Sequence, residues 1–520
     1  VGRGPLLRAA KLAYEEIADT AQAAEALLEA GWISADAPMP LSELFGLHTK
    51  PELLQIFKQA GLSATLRKPE MLAWVQERMQ EDQEQDQVQP LSALDAQSRP
   101  YARWNAQPQE PVWRVMVGEL CERLRLMFFG NLYQDWSEFV LADLGIFRYE
   151  AVPLDAASRA FQSRADVDFY LSISASRQAL DEGADAVQLL QSLIENESAN
   201  PWLDQRRAKV LLRIGQASER VQNWPLAAKA YTASRYAGAR HRHIRVLERM
   251  QCFDQALVLA EQAQAAPESE EERQRVARML PRLRRSLGHS GSSRQSALAP
   301  AVAALRCDVE LDLPQDATAV EYALRDHWHR NEAPVFYVEN ALINSLFGLL
   351  CWPAIFAPLP GAFFHPFQSG PADLSAPDFA ARRQPLFDAC LAELEDGRYR
   401  ATIRARFVQK EGTQSPFVFW GTLTQELLDL ALECIPALHL QKLFARLLRD
   451  VKANRTGFPD LVRFWPQRTE AQGRYELVEV KAPGDKLQDN QIRWLSYCTE
   501  LGMPVRVCHV QWRGQQTGQP

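Results

Sequence analysis

Near the C-terminal end of the chain, Gly457-Phe458-Pro459-Asp460 is followed by a short apolar stretch. About one hairpin later comes Glu479-Val480-Lys481. Acids set inside apolar runs are costly unless a cation or a dedicated partner compensates them. Magnesium and manganese take hard oxygen ligands. Asp460 and Glu479 would supply carboxylates, and the carbonyl of Val480 a third oxygen. A divalent metal so held lowers the pKa of water and neutralises charge developing on a phosphate. Lys481 would orient or help deprotonate that water, or stabilise the transition state directly. The set points to phosphodiester hydrolysis; the bland alternative is a β-hairpin with two exposed acids and a lysine.

These groups need strands to hold them. Leu461 to Trp465 is a short apolar strand and Tyr475 to Lys481 another, with the polar, Gly-containing Arg468–Gly473 as the connection. Strand side chains alternate, so Glu479 and Lys481 share a face with Tyr475 and Leu477, about 7 Å apart along the strand, and Val478 and Val480 take the other. A helix is expected from about Gln488 to Leu501, ended by Gly502 and Pro504, and then a strand from Val505 to Gln511. A further acid, Glu339, precedes the apolar run 341–351. Placed on a helix, it shares a face with Leu342, Ile343 and Leu346. It is then either a ligand or a glutamate that snorkels or pairs with a lysine.

The rest of the chain must support that core. At 520 residues it exceeds what one hydrophobic core usually sustains, so three or more domains are expected. No apolar run is long enough for a bilayer and no secretory signal is visible, so no membrane partner is expected. The eight cysteines are scattered and never form a C-x-x-C pair, which suits reduced thiols in the cytoplasm and no structural zinc. A formal charge of −7 excludes a uniformly basic coat but not basic patches.

Leu6 to Ala30 lacks Gly and Pro and carries apolar residues at helical steps, so a helix is expected there. Pro51 to Leu62 and Lys68 to Leu72 suggest two short helices joined by a loop, similar to a SAP module, a small DNA-binding unit, or simply a helical hairpin. Lys68 is its candidate phosphate contact. Residues 79–110, rich in Gln, Glu and Asp at their start, suggest a solvated linker. From Val112 to Ala266 helical periodicity and small Ala residues suggest stacked helix pairs of tetratricopeptide type. Basic residues concentrate here, among them Arg206, Arg207, Lys209, Arg213, Arg240, Arg242 and Arg245. They form either a solvated face or a DNA-backbone contact, where each neutralised phosphate releases counterions. The stretch 267–300 turns acidic, then basic, then Gly/Ser-rich, and a boundary is expected near residue 297, with helices preceding strands after it. The expected domains are 1–78, 79–110 (linker), 111–296 and 297–520.

Taken together, Gly457 to Val462, Leu477 to Leu487, Gln491 to Leu495 and Val507 to Val510 resemble the PD-(D/E)xK superfamily, specifically its VRR nuclease domain as found in the Fanconi-associated nuclease family. Glu339 with Phe347 to Trp352 resembles that family's upstream acidic segment. The resemblance implies a multidomain, mostly α protein: a SAP-like N-terminal module, a helical-repeat middle and a C-terminal α/β nuclease core. It implies catalytic Glu339, Asp460, Glu479 and Lys481, supported by Gln491, with Mg2+ or Mn2+ held by Glu339, Asp460, Glu479 and Val480. It implies a structure-selective nuclease cutting branched DNA, a 5′ flap endonuclease with 5′ exonuclease action, in interstrand crosslink repair. Lys452, Arg455 and Lys486 are nearby candidates for a 5′-phosphate pocket. Many eukaryotic members carry a ubiquitin-binding zinc finger; the absence of a Cys/His cluster here suggests a bacterial, nucleoid-associated form without one.

Two other functions fit parts of the pattern. A resolvase of symmetric four-way junctions would need paired active sites. A non-catalytic scaffold for branched DNA would need no metal ligands, against which the intact acids and lysine stand.

Overall fold

In the computed structural model, residues 6–12, 17, 19–85, 98–105, 110–134, 140, 142–156, 158–288, 304–312 and 319–513 are described. The chain divides into two units, 1–136 and 137–520.

In the first unit, strands β1 (Leu6–Arg8), β2 (Ile33–Ser34), β3 (Pro38–Pro40), β4 (Ser98–Pro100) and β5 (Val112–Val115) form two small sheets, ordered β1-β5-β2 and β3-β4. The helix expected over Leu6–Ala30 is realised only at Thr20–Glu29, where Asp19 caps the first backbone N–H groups. Residues 13–16 and 18 lie outside the described residues. Leu6 to Arg8 pair with Arg114 to Val112 instead, because strand pairing overrides a local period. Val112, expected to begin the helical region, is therefore in a strand. The helices Lys50–Ile56 and Lys68–Gln85 frame the expected SAP-like segment, the first opened by a Thr49/Glu52 capping box. Part of the expected linker is folded: β4 and the helix Tyr101–Trp104 bring Tyr101 and Trp104 into one core with Leu44, Phe45, Leu53 and Met71. Residues 86–97 and 106–109 of that linker are not described.

The second unit opens with consecutive helices, Arg164–Asp181, Ala186–Glu195, Pro201–Arg220, Trp224–Ala233, Ala239–Arg249, Phe253–Ala265 and Glu270–Ser286. Each packs on its neighbour through apolar clusters that run along the array. Small residues set the spacing. A Cβ at Gly215 would lie 2.4 Å from the Tyr231 ring, so only glycine lets those helices approach.

A five-stranded sheet follows, ordered β6-β10-β9-β8-β7, from β6 (Leu305–Leu311), β7 (Val335–Tyr337), β8 (Leu461–Phe464), β9 (Tyr475–Lys481) and β10 (Val505–Trp512). Among the described residues, β6 precedes the helices of this region and β7 follows only one of them, Val320–Trp328, contrary to the expected order. β7 is only three residues and gives no period, whereas β6 alternates apolar Leu305, Cys307, Val309 and Leu311 with charged Arg306, Asp308 and Glu310, a strand signal that the expected order passed over. Between β7 and β8 a mostly helical segment, including Ala341–Leu350 and Ala437–Arg449, covers one face. Tyr475, Leu477 and Val462 join its large core, while Leu461, Val478 and Val480 face a smaller one with Leu324. The alternation expected along β9 is observed. The boundary expected near residue 297 lies outside the described residues. Among those described, no helix is long and apolar enough to cross a membrane.

Candidate active site

Strand β9 sits third in the sheet, antiparallel to β8 and parallel to β10. Leu461 pairs with Val478, so Asp460, one residue before β8, stands across from Glu479. Phe458 stacks on Trp494, ring centroids 4.0 Å apart, and Gly457 takes a left-handed φ of 92° to turn the chain into Pro459-Asp460.

Asp460 is tied at both ends. Its Oδ2 accepts from Val480 N at 2.8 Å, and its carbonyl accepts from Val338 N and Glu339 N at 2.8 and 2.9 Å. Glu479 is fully buried, at 0% exposure, and neither carboxylate oxygen receives a hydrogen bond. Lys481 Nζ lies 2.8 Å from Glu479 Oε1, a charge contact without hydrogen-bond alignment, and donates to Gln491 Oε1 at 3.1 Å. Gln491 in turn accepts from Gln488 N at 2.8 Å in the box that opens helix Asp489–Glu500. Burial, with neighbouring acids, pushes Asp460 up to about 6. Burial and the Asp460 charge push Glu479 up to about 7, with Lys481 opposing the rise. A pocket that raises two adjacent carboxyls and leaves two buried oxygens without donors is one that a cation would satisfy.

Glu339 departs from expectation. The helix begins at Ala341, so Glu339 lies before it rather than on its apolar face. Its backbone has φ 29°, rare for a residue with a side chain, and its carboxylate is exposed. Tyr337 Oη donates to Glu339 Oε2 at 2.6 Å, and Asn340 Nδ2 to Oε1 at 3.2 Å. Asn340 also accepts from Gly457 N and Phe458 N at 2.8 and 3.2 Å, joining Glu339 to the Asp460 turn. Tyr337 and Asn340 escaped the sequence reading. The only signal was Asn340 at the cap position before the apolar run, and it caps the other loop instead. Among the described residues, no three His, Cys, Asp or Glu side chains gather closely enough to hold a metal ion. Two carboxylates converge, Asp460 and Glu479. With the Val480 carbonyl, water and a substrate oxygen they suit a magnesium-like ion, which keeps waters and uses one or two carboxylates.

The arginines expected to face DNA are largely engaged inside the protein. Arg207 is buried and bonds Asp204, Glu197 and the Leu193 carbonyl. Arg242 and Arg245 both pair with Glu219, Arg240 with Glu272, and Arg213 with Asp181. Arg206 stacks 3.5 Å from the Trp202 ring centroid. Lys209 is exposed. Of the phosphate candidates near the core, Arg455 donates to the Pro416 carbonyl and lies over Phe417, whereas Lys452 and Lys486 are exposed. Lys68 begins a helix in the first unit.

Comparison with known proteins decides the family. A Fanconi-associated nuclease 1 homolog of Pseudomonas aeruginosa is 50% identical over 510 residues, covering 98% of this chain and 87% of that protein. The chain belongs to the Fanconi-associated nuclease family. Residues 394–512 match the VRR-NUC domain, and residues 38–104 match the Fanconi anemia-associated nuclease SAP domain, which extends past the expected end at residue 78. Human Fanconi-associated nuclease 1 is 34% identical over 178 residues, 33% of this chain and 17% of that one. The crystal structure of paFAN1 bound to gapped DNA with a 2-nucleotide 5′ flap is similar with a TM-score of 0.86 at 50% identity, covering 99% of this chain and 90% of that one. A second, with a 1-nucleotide flap, gives 0.85. As a Fanconi-associated nuclease with a VRR-NUC domain, the chain is a DNA-cleaving hydrolase that depends on a divalent metal.

Proposed function

We propose that this nuclease recognises branched DNA by its structure and cuts it at 5′ flaps, with 5′ exonuclease action, using Mg2+ or Mn2+ in interstrand crosslink repair. Its place of work is then the chromosomal DNA of the cell. The observation that carries this reading is the fully buried Glu479 with two donorless oxygens, set beside Asp460 and Lys481, in a chain that shares its fold with a flap-bound relative.

The metal, when bound, supplies electrophilic activation of the phosphate and a more acidic water. Asp460, Glu479 and the Val480 carbonyl would hold it, and Glu339, kept in place by Tyr337 and Asn340, would face the same substrate. Lys481, held between Glu479 and Gln491, presents its ammonium where negative charge grows during cleavage. Lys68, Lys209, Lys452 and Lys486 would contact phosphates and fix the position of the duplex arms, reading shape rather than sequence.

End-labelled flap, fork, nicked and four-way-junction DNAs, incubated with magnesium, manganese or chelator, test the reading. Preferential cutting of the 5′ flap, lost in chelator, is expected. Paired symmetric nicks in the four-way junction would favour a resolvase instead, and binding without cutting a scaffold.

A further inference from the structure

The face of the nuclease sheet opposite Glu479 and Lys481 carries a second constellation that cleavage does not use. Strand alternation sets Arg463 of β8, Glu476 of β9 and Arg506 of β10 on the side of Val478 and Val480. Arg330, ahead of β7, and Arg468, in the β8–β9 connection, join them. Burial lowers the Arg463 pKa, the Glu476 carboxylate opposes that shift, and the guanidinium groups of Arg468, Arg330 and Arg506 add to it. Glu476 is already paired with Arg506 at 2.9 Å. Among the described residues, Arg330, Arg463 and Arg468 have no carboxylate partner, and the Arg463 Nε is buried without a hydrogen bond.

Two indoles are interleaved with these cations. Arg463 lies 4.8 Å from the Trp465 ring centroid and 5.7 Å from that of Trp328, and Arg468 lies 4.2 Å from Trp465. Four like charges with one counter-charge repel one another, and a polyanion would relieve that repulsion. The flat rings and guanidinium planes offer stacking surfaces, which only unpaired bases can use. A duplex would satisfy the charges and leave the planes idle.

We propose that this outer face binds a single strand of DNA, with phosphates on Arg330, Arg463 and Arg468 and bases stacked against Trp465, Trp328 and their guanidiniums. It rests on the flap reading only in taking the displaced flap as the natural occupant. Such a site would favour long flaps, whose free strand has the reach to pass from one face of the sheet to the other.

Fluorescence anisotropy tests it with an oligo-dT of about 15 nucleotides and a duplex of equal length. The variants are R330E/R468E, both at exposed positions, and W465A, which keeps the charge and removes a ring. Both should weaken oligo-dT binding by about tenfold or more while duplex binding changes far less, and R330E/R468E should also flatten the salt dependence. In flap substrates the affinity advantage of a long over a short flap should vanish, with short-flap cleavage unchanged. Unaltered oligo-dT affinity, or an equal loss for duplex, would overturn the proposal. Should the wild type cut no flap while the variants still lose oligo-dT binding, the strand site stands and the flap reading fails.

Discussion

Arg278 grips Asp489 with both arms of its guanidinium, at 2.6 and 2.8 Å, and so fastens the helical array to the helix that carries Gln491. The same array helix, Glu270–Ser286, sends Gln274 to Arg493 at 2.7 Å and Glu270 to Arg446. Asp489 is the first residue of its helix, two before the amide that holds Lys481. The pair is half exposed, so its worth to stability is at most about 1 kcal/mol. R278A should therefore melt within about 1 kcal/mol of the wild type. It should nonetheless slow single-turnover cleavage by roughly tenfold, through misplacement of Lys481. The reversed pair R278D/D489R should recover most of the rate. A wild-type rate in R278A would show that Gln491 is positioned without this clamp.

Asp460 pays a burial cost, and the nearby acids Glu321 and Glu339 add to it. D460N removes the charge, and its amide oxygen still accepts from Val480 N. Metal-free D460N should unfold at or above the wild-type temperature at neutral pH, yet lose cleavage by about a thousandfold or more while keeping its DNA affinity. Calorimetry beside a cleavage assay separates the two effects; residual cleavage near wild type would remove Asp460 from the site.

The folded values of Asp460 and Glu479, about 6 and about 7, stand above the ordinary 3.8 and 4.5. Between those limits the folded protein binds more protons than the unfolded chain, so the pair's contribution to stability falls as pH climbs through that window. A divalent ion competes for the same oxygens and gains as protons leave. Manganese should raise Tm more at about pH 8 than at about pH 5.5, and D460N or E479Q should flatten the difference. A rise independent of pH would place the ion elsewhere.

Gly457 has φ 92°, and a Cβ there would lie 2.8 Å from the backbone carbon of Asn490 and 2.9 Å from its Cβ. G457A should cost about 1–3 kcal/mol in urea melts and lower activity by displacing the Asp460 turn. Unchanged stability would mean that the turn can relax without the glycine.

The strand β9 was legible as a short run rich in β-branched and apolar residues, bounded by a polar, Gly-containing connection and by Pro483-Gly484, and its two faces then follow from strand alternation. Gln491 was named through the family resemblance alone; it stands three residues after Gln488, from whose backbone N–H it accepts. Glu339 was legible as an acid but not in its setting. The mostly apolar run 341–350 suggests a helix that starts earlier, but Val338 N and Glu339 N are tied to the Asp460 carbonyl and the helix begins only at Ala341. β1 was hidden because its partner β5 lies about a hundred residues away and its own spacing suits a helix. The basic run looked free for the same reason. Glu219 and Glu272, which neutralise Arg242, Arg245 and Arg240, are close in space but not in sequence.

The opposition of Asp460 and Glu479 depends on which residue of β8 meets which residue of β9. Displace β9 by a single step and the carboxylate of Glu479 and the ammonium of Lys481 turn into the apolar layer around Leu324, with valines in their stead. Slipped or half-melted copies therefore lack the paired carboxylates that cleavage needs.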